Sequence, residues 1–190
     1  MKKHLIAILL GLSSTSVFAI SAAEISTVKA SDQLEWKNGD KMMSIKIETV
    51  NTIKEPDGST WFIANGKTAD GQIISWMLDP TGNGEIGLIG KRMKPKEAGF
   101  TKKDVFQADK KGQGSITYNG VEYEYSADDS DDVKFMETPS SSEDEISIYS
   151  FVSKQDDDDG LMVIEWDDDN LEVLETEFHE NAELTLVSAK

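Results

Sequence analysis

Cysteine is absent from this 190-residue chain, histidine occurs twice and proline four times. Without cysteine there is no disulfide, no thiolate nucleophile, and no lipid attachment at a cysteine beside a cleavage site. One histidine, His4, lies in the opening segment, so His179 alone remains for the rest of the chain. A zinc or copper site built on His and Cys cannot be assembled from one such ligand. A Ser-His-Asp triad would have to use His179, which sits between Phe178 and Glu180, and the chain has no Gly-x-Ser-x-Gly turn. Phosphate-cradling loops are missing too, because Gly82-x-Gly84 and Gly87-x-x-Gly90 lack the helix and lysine such loops need. The longest apolar run, residues 5–12, is too short for a membrane span of ~20 residues.

That run has another use. Lys2 and Lys3 precede it and small residues follow it, with Val17-Phe18-Ala19 and Ser21-Ala22-Ala23 both acceptable to a signal peptidase. The pattern predicts an exported protein, periplasmic or secreted, with residues 1–23 as signal peptide. Cleavage is expected after Ala23, with Ala19 as the alternative. The 167 residues beyond Ala23 must then be held together by burial, since disulfides cannot contribute.

Charge is divided sharply along the chain. Residues 24–111 carry 14 Lys or Arg against 13 Asp or Glu, whereas residues 112–190 carry 3 Lys against 23 Asp or Glu. With the two lysines of the signal, +1 and −20 give the net −17 of the whole chain. A surface this acidic repels nucleic acid and anionic lipid and attracts basic proteins or divalent cations.

The residue pattern is that of strands. Met43, Ile45 and Ile47 alternate with polar residues, and further runs at 34–36, 61–64, 73–78 and 86–89 are separated by turn sequences such as Glu55-Pro56-Asp57-Gly58. In residues 112–125 two β-prone runs flank Asn119-Gly120, the strongest short hairpin signal. Val121, Tyr123 and Tyr125 should face a core, and Glu122 and Glu124 solvent. Strands at 133–136 and 146–152 follow, and the nearly continuous apolar run at 161–166 should be the most buried, central strand. Leu171 and Val173, then Leu184 and Leu186, complete the sheet. Residues 24–32 read as a loose lead-in. Residues 91–111 hold 8 basic against 3 acidic residues, and Thr101-Lys102-Lys103-Asp104 has capping-box spacing for a short helix.

The expected fold is therefore mostly β, an antiparallel meander, sandwich or partly open barrel. Its units are an N-terminal β unit at 24–90, a basic linker with a short helix at 91–111, and an acidic C-terminal β unit at 112–190. DGQIISW at 70–76 echoes DGLMVIEW at 159–166, which raises the expectation of two related β units. The order Gly114, Ile116, Tyr118, Gly120, Tyr123, followed less closely by Glu165 and Trp166, resembles a bacterial family of small β-rich domains of unknown function. The resemblance covers roughly residues 112–187. It implies a β fold and brings no catalytic residues with it.

Carboxylates are the remaining chemistry. Glu165, beside Trp166 on the apolar run, has the setting of a glycoside-hydrolase acid, provided a second carboxylate lies near it. Asp79, Thr81 and Asn83 with Gly84 and Glu85 match the first part of an EF-hand-type Ca²⁺ loop. Its twelfth position, however, is Gly90, where a bidentate Glu is required. The expectation is an acidic, exported, non-enzymatic protein that binds a basic protein partner, of inhibitor or immunity type. Weak Ca²⁺ binding and a carboxylate-based hydrolase are the alternatives.

Overall fold

The computed structural model describes residues 20–80, 85–137, 143–156, 158–166, 170–180 and 184–189. Residues 1–19, Thr81, Asn83 and the aspartates 167–169 lie outside them. Among the described residues, eleven strands and two helices follow in order. Helix α1 (Ala22–Ile25) leads into β1 (Gln33–Asn38), β2 (Lys41–Lys54), β3 (Thr60–Lys67), β4 (Ile73–Leu78) and β5 (Glu85–Met93). Helix α2 (Lys102–Lys111) leads into β6 (Ser115–Tyr118), β7 (Val121–Glu137), β8 (Glu143–Ser153), β9 (Asp159–Glu165), β10 (Leu171–Glu180) and β11 (Leu184–Val187).

All pairings are antiparallel, in the order β11-β1-β2-β3-β4-β5-β10-β9-β8-β7-β6. A further pairing of β2 with β7, Ile53 opposite Phe135, closes eight of these strands into a barrel. The fold is mostly β, as expected, and the barrel is closed rather than partly open. Closure depends on the length of β2 and β7. Each pairs at its start with its own hairpin partner (β1 or β6) and at its end with the other long strand. The acidic stretch 126–132 reads in the sequence as a turn, but it lies within β7. It is a register shift within β7 opposite β8, between Ser126 and Asp131.

The two halves share a plan of a helix, a short strand, a long strand and three more, to which the second half adds β11, paired with β1. The seams between them, β5 with β10 and β2 with β7, join equivalent strands. This gives the barrel a pseudo-twofold axis, which runs between β5 and β10. The repeated Asp-Gly turns at 70–71 and 159–160 open equivalent strands, β4 and β9.

Both faces of the barrel wall are covered. Ile53, Ile63, Met77, Phe135, Ile148, Met162, Ile164 and Leu174 form one cluster drawn from both halves. Side chains of β3 and β4 can meet those of β8 and β9 only inside a closed barrel. On the outer face each half has its own core. Leu34, Trp36, Ile45, Ile74 and Trp76 pack with Ile25 in the first half. Ile116, Tyr123, Tyr149, Phe151, Leu161 and Val173 pack with Val105 of α2 in the second. The edge-to-face contact of Trp36 on β1 with Trp76 on β4, centroids 5.4 Å apart, shows the β1–β2 hairpin folded over its sheet. The β6–β7 hairpin folds over in the same way, with the Tyr118 hydroxyl donating to Glu175 Oε2 on β10 at 3.2 Å.

Local chemistry accounts for the pieces. Asn119 (φ 49°) and Gly120 (φ 81°) supply the two left-handed positions of the hairpin turn. Asp104 Oδ2 accepts from the Thr101 N–H at 2.8 Å and hydroxyl at 2.7 Å at the start of α2, and Gly112 (φ 62°) ends that helix. The lead-in at 24–32 is ordered, not loose. Ile25 and Val28 are in the core, and buried Asp32 accepts from the backbone N–H groups of Lys29 and Ala189.

Candidate functional site

The two folded-over hairpins cover the outer face of the barrel from either side and leave a cleft of about 240 Å³ over the β5–β10 seam. Its floor follows from register. Ile74, Lys91 and Glu175 lie side by side across β4, β5 and β10, and Glu177 lies opposite Asp159 across β10 and β9. Trp36, Asn38 and Met43 of the β1–β2 hairpin form one wall, and Tyr123 of the β6–β7 hairpin the other. Behind the floor, inside the barrel, runs the row Gly90, Thr176, Gly160. Side chains are small there because a Cβ on Gly90 would stand 3.0 Å from Leu174, and one on Gly160 2.8 Å from Thr176 Oγ1.

The cleft is an electronegative, partly apolar site. Three carboxylates, on Asp159, Glu175 and Glu177, face it against the one ammonium of Lys91. The acids come from the C-terminal half and the lysine from the N-terminal half. Burial, then Asp156 and Asp158, raise the Asp159 carboxyl above its ordinary range. Burial raises the Tyr123 and Tyr118 phenols, and Glu175 adds to both. Trp36 is 2% exposed, and its indole N–H has no acceptor among the described residues.

Glu165 does not line this cleft. Its Oε1 lies 3.0 Å from Lys102 Nζ, and its Oε2 accepts from the Tyr149 hydroxyl at 2.9 Å. Lys102 in turn sits over the Phe106 ring, 4.8 Å from its centroid. Both carboxylate oxygens are thus engaged in fastening α2 onto β8 and β9.

Inside the barrel is a second polar cluster. Arg92 donates to Glu172 Oε2 at 2.9 Å, Ser75 Oγ at 2.8 Å and Asn65 Oδ1 at 2.6 Å, and the Trp166 indole donates to Glu172 at 3.2 Å. Arg92 falls in the basic stretch 91–111, yet it belongs to the end of β5. Its parity with Gly90 turns it inward, while Lys91 turns out into the cleft.

Of the Ca²⁺-loop residues, Asp79 follows the end of β4 and Glu85 opens β5, whereas Thr81 and Asn83 lie outside the described residues. No group of three or more metal-ligating side chains occurs among the described residues. His179 lies on β10 opposite Gly87. The cleft as a unit was not visible in sequence, because its residues come from seven strands and a turn. The signals that could have found it are the inverted charge of Lys91 against Glu175 and Glu177, and the paired Asp-Gly turns. No family model, no curated protein and no solved structure matches the chain.

Proposed function

We propose that the chain is an exported, non-enzymatic binding protein that captures a basic protein partner, seating one cationic side chain of that partner in the cleft. The observation that carries this is the cleft lining, in which three carboxylates and two aromatic rings converge against a single lysine. Its volume of about 240 Å³ falls below the ~300–1,000 Å³ of drug-sized ligand sites and suits one inserted side chain. Guanidinium fits better than ammonium, since its planar fork can bridge two carboxylates. The acidic half supplies the long-range field. Its two described lysines are committed locally, Lys154 to Glu122 and Glu124, and Lys134 to Glu143. The remaining carboxylates on that half thus steer a partner of opposite charge, with an on-rate that falls as salt rises.

Tryptophan fluorescence titrated with argininamide, and with citrulline amide as the uncharged counterpart, tests the site. Saturable binding of argininamide alone is expected, weakened at least tenfold by Glu175→Gln with Glu177→Gln. Asp128→Asn with Asp144→Asn removes the same charge from exposed positions away from the cleft and should change binding less than twofold. Equal losses in the two double variants would reduce the cleft to diffuse electrostatics and remove the proposed site. Capture of basic proteins from periplasm at low but not high salt tests the partner class, and the absence of any salt-sensitive basic partner would sink it.

A further inference from the structure

We infer that the exported precursor is cut between Ala19 and Ile20, so that Ile20 is the first residue of the folded protein. The inference rests on the export reading and concerns residues that the cleft does not use. The Val17-Phe18-Ala19 and Ser21-Ala22-Ala23 sites satisfy a signal peptidase equally, and they differ by four residues, 20–23. What those residues do in the fold separates the two.

Ile20 is 2% exposed in the core of the first half, and its N–H donates to the Leu184 carbonyl at 2.8 Å. Ser21 caps α1. Its Oγ accepts from the Glu24 N–H at 3.3 Å, while its own N–H and hydroxyl donate to Glu24 Oε2 at 2.9 and 2.7 Å. This is a reciprocal capping box, and it sets the helix that carries Ile25, with Val28 just beyond it, into the core. Cleavage after Ala23 would remove the buried isoleucine, its backbone bond to Leu184 and the cap together. It would also place a new ammonium on Glu24, inside a helix N-terminus where positive charge is unfavourable. Cleavage after Ala19 removes none of these contacts. Hydrolysis of the Ala19–Ile20 peptide consumes one water and leaves a carboxylate on Ala19 and an ammonium on Ile20. That ammonium can keep the bond to the Leu184 carbonyl, now charge-assisted.

The pseudo-twofold plan points the same way. Helix α1 precedes β1 as α2 precedes β6, and each contributes to the outer core of its own half. Each also opens on a hydroxyl residue with an acid three positions on, Ser21 with Glu24 and Thr101 with Asp104. The segment from Ile20 is thus one of two equivalent covers, part of the domain rather than of the leader.

Intact-mass measurement and N-terminal sequencing of the protein recovered from the periplasm of a bacterial host expressing the full precursor decide the matter. A mature chain beginning at Ile20 is expected. One beginning at Glu24 overturns the inference and leaves export standing, whereas an uncut chain in the cytoplasm overturns both. NMR titration of the recovered protein gives a second readout. Glu24 should titrate below its ordinary value, held there by the Ser21 hydroxyl and then the Ser21 N–H. An ordinary Glu24 titration would mean that the cap is absent from the mature chain.

Discussion

Gly90→Ala, made alone and together with Leu174→Ala, probes the β5–β10 seam that joins the halves and backs the cleft. An added Cβ at position 90 would stand 3.0 Å from Leu174 Cβ and Cδ2 and 3.4 Å from Cγ. Leu174 is fully buried inside the barrel, so it cannot swing into solvent to make room. Overpacking of this kind costs ~1–3 kcal/mol. Replacing a strand glycine by alanine returns ~0.5–1 kcal/mol of backbone entropy. The single variant should therefore lose about 0–2.5 kcal/mol on the difference of those two terms. Leu174→Ala alone empties a buried site and should cost ~2–5 kcal/mol. In the double variant the alanine at 90 loses two of its three close neighbours and partly fills the vacated space. The pair should then be less destabilised than the sum of the singles by ~1–2 kcal/mol, within the range of contacting residues. Urea unfolding followed by tryptophan fluorescence, with m-values unchanged, gives the four free energies of the cycle. Additivity to within ~0.5 kcal/mol would refute the contact, and with it this description of the seam.

Arg92→Met should destabilise the fold by ~3–5 kcal/mol, because Glu172 stays behind largely buried without its cation, and Arg92→Lys should recover only part of it; chemical denaturation measures both. All four tyrosines are held protonated above their ordinary range, Tyr149 most of all through burial and then its hydrogen bond to Glu165. A raised phenol favours the folded state fully below the unfolded value of ~10, so stability should be level below that pH and fall as pH climbs beyond it. Tyr149→Phe should flatten the fall in melts taken between pH 8 and 12. Gly120→Ala meets no atom within 4 Å, yet must hold φ 81°, so it should cost ~1–2 kcal/mol by backbone strain alone, read as a shift in denaturation midpoint.

Local grammar was legible in the sequence, and long-range closure was not. The Asn119-Gly120 turn, the Thr101 cap and the buried run at 161–164 each depend on a few adjacent residues, and the structure has all three. Leu174 and Arg92 show where this ends. In a one-sided strand Leu171 and Val173 leave Leu174 on the solvent side, but both faces of β10 are covered, so Leu174 is buried as well. Arg92 reads as linker charge until β5 is seen to continue to Met93 and turn it inward. Pairing of β2 with β7 has no local signal, since it joins Ile53 to Phe135 across most of a half-chain. The cleft inherits this difficulty, because it exists only where the two halves meet.

That position gives a near-symmetric fold a cleft of one polarity. Each hairpin covers the sheet of its own half, and the cleft lies over the seam between the two sheets. The backbone there is related by the axis, but the charges are not: Lys91 comes from one side and Glu175 with Glu177 from the other. A cationic group entering the cleft must lie toward β10, away from Lys91. Lys91→Gln should therefore strengthen argininamide binding, by removing the one cation of the cleft lining. Because Lys91 is exposed, its interaction is screened to ~0.2–1 kcal/mol, a gain of up to about fivefold. The fluorescence titration used for the cleft measures it directly. Weaker binding by Lys91→Gln would mean that the lysine itself contacts the ligand, and would overturn this account of the cleft's polarity.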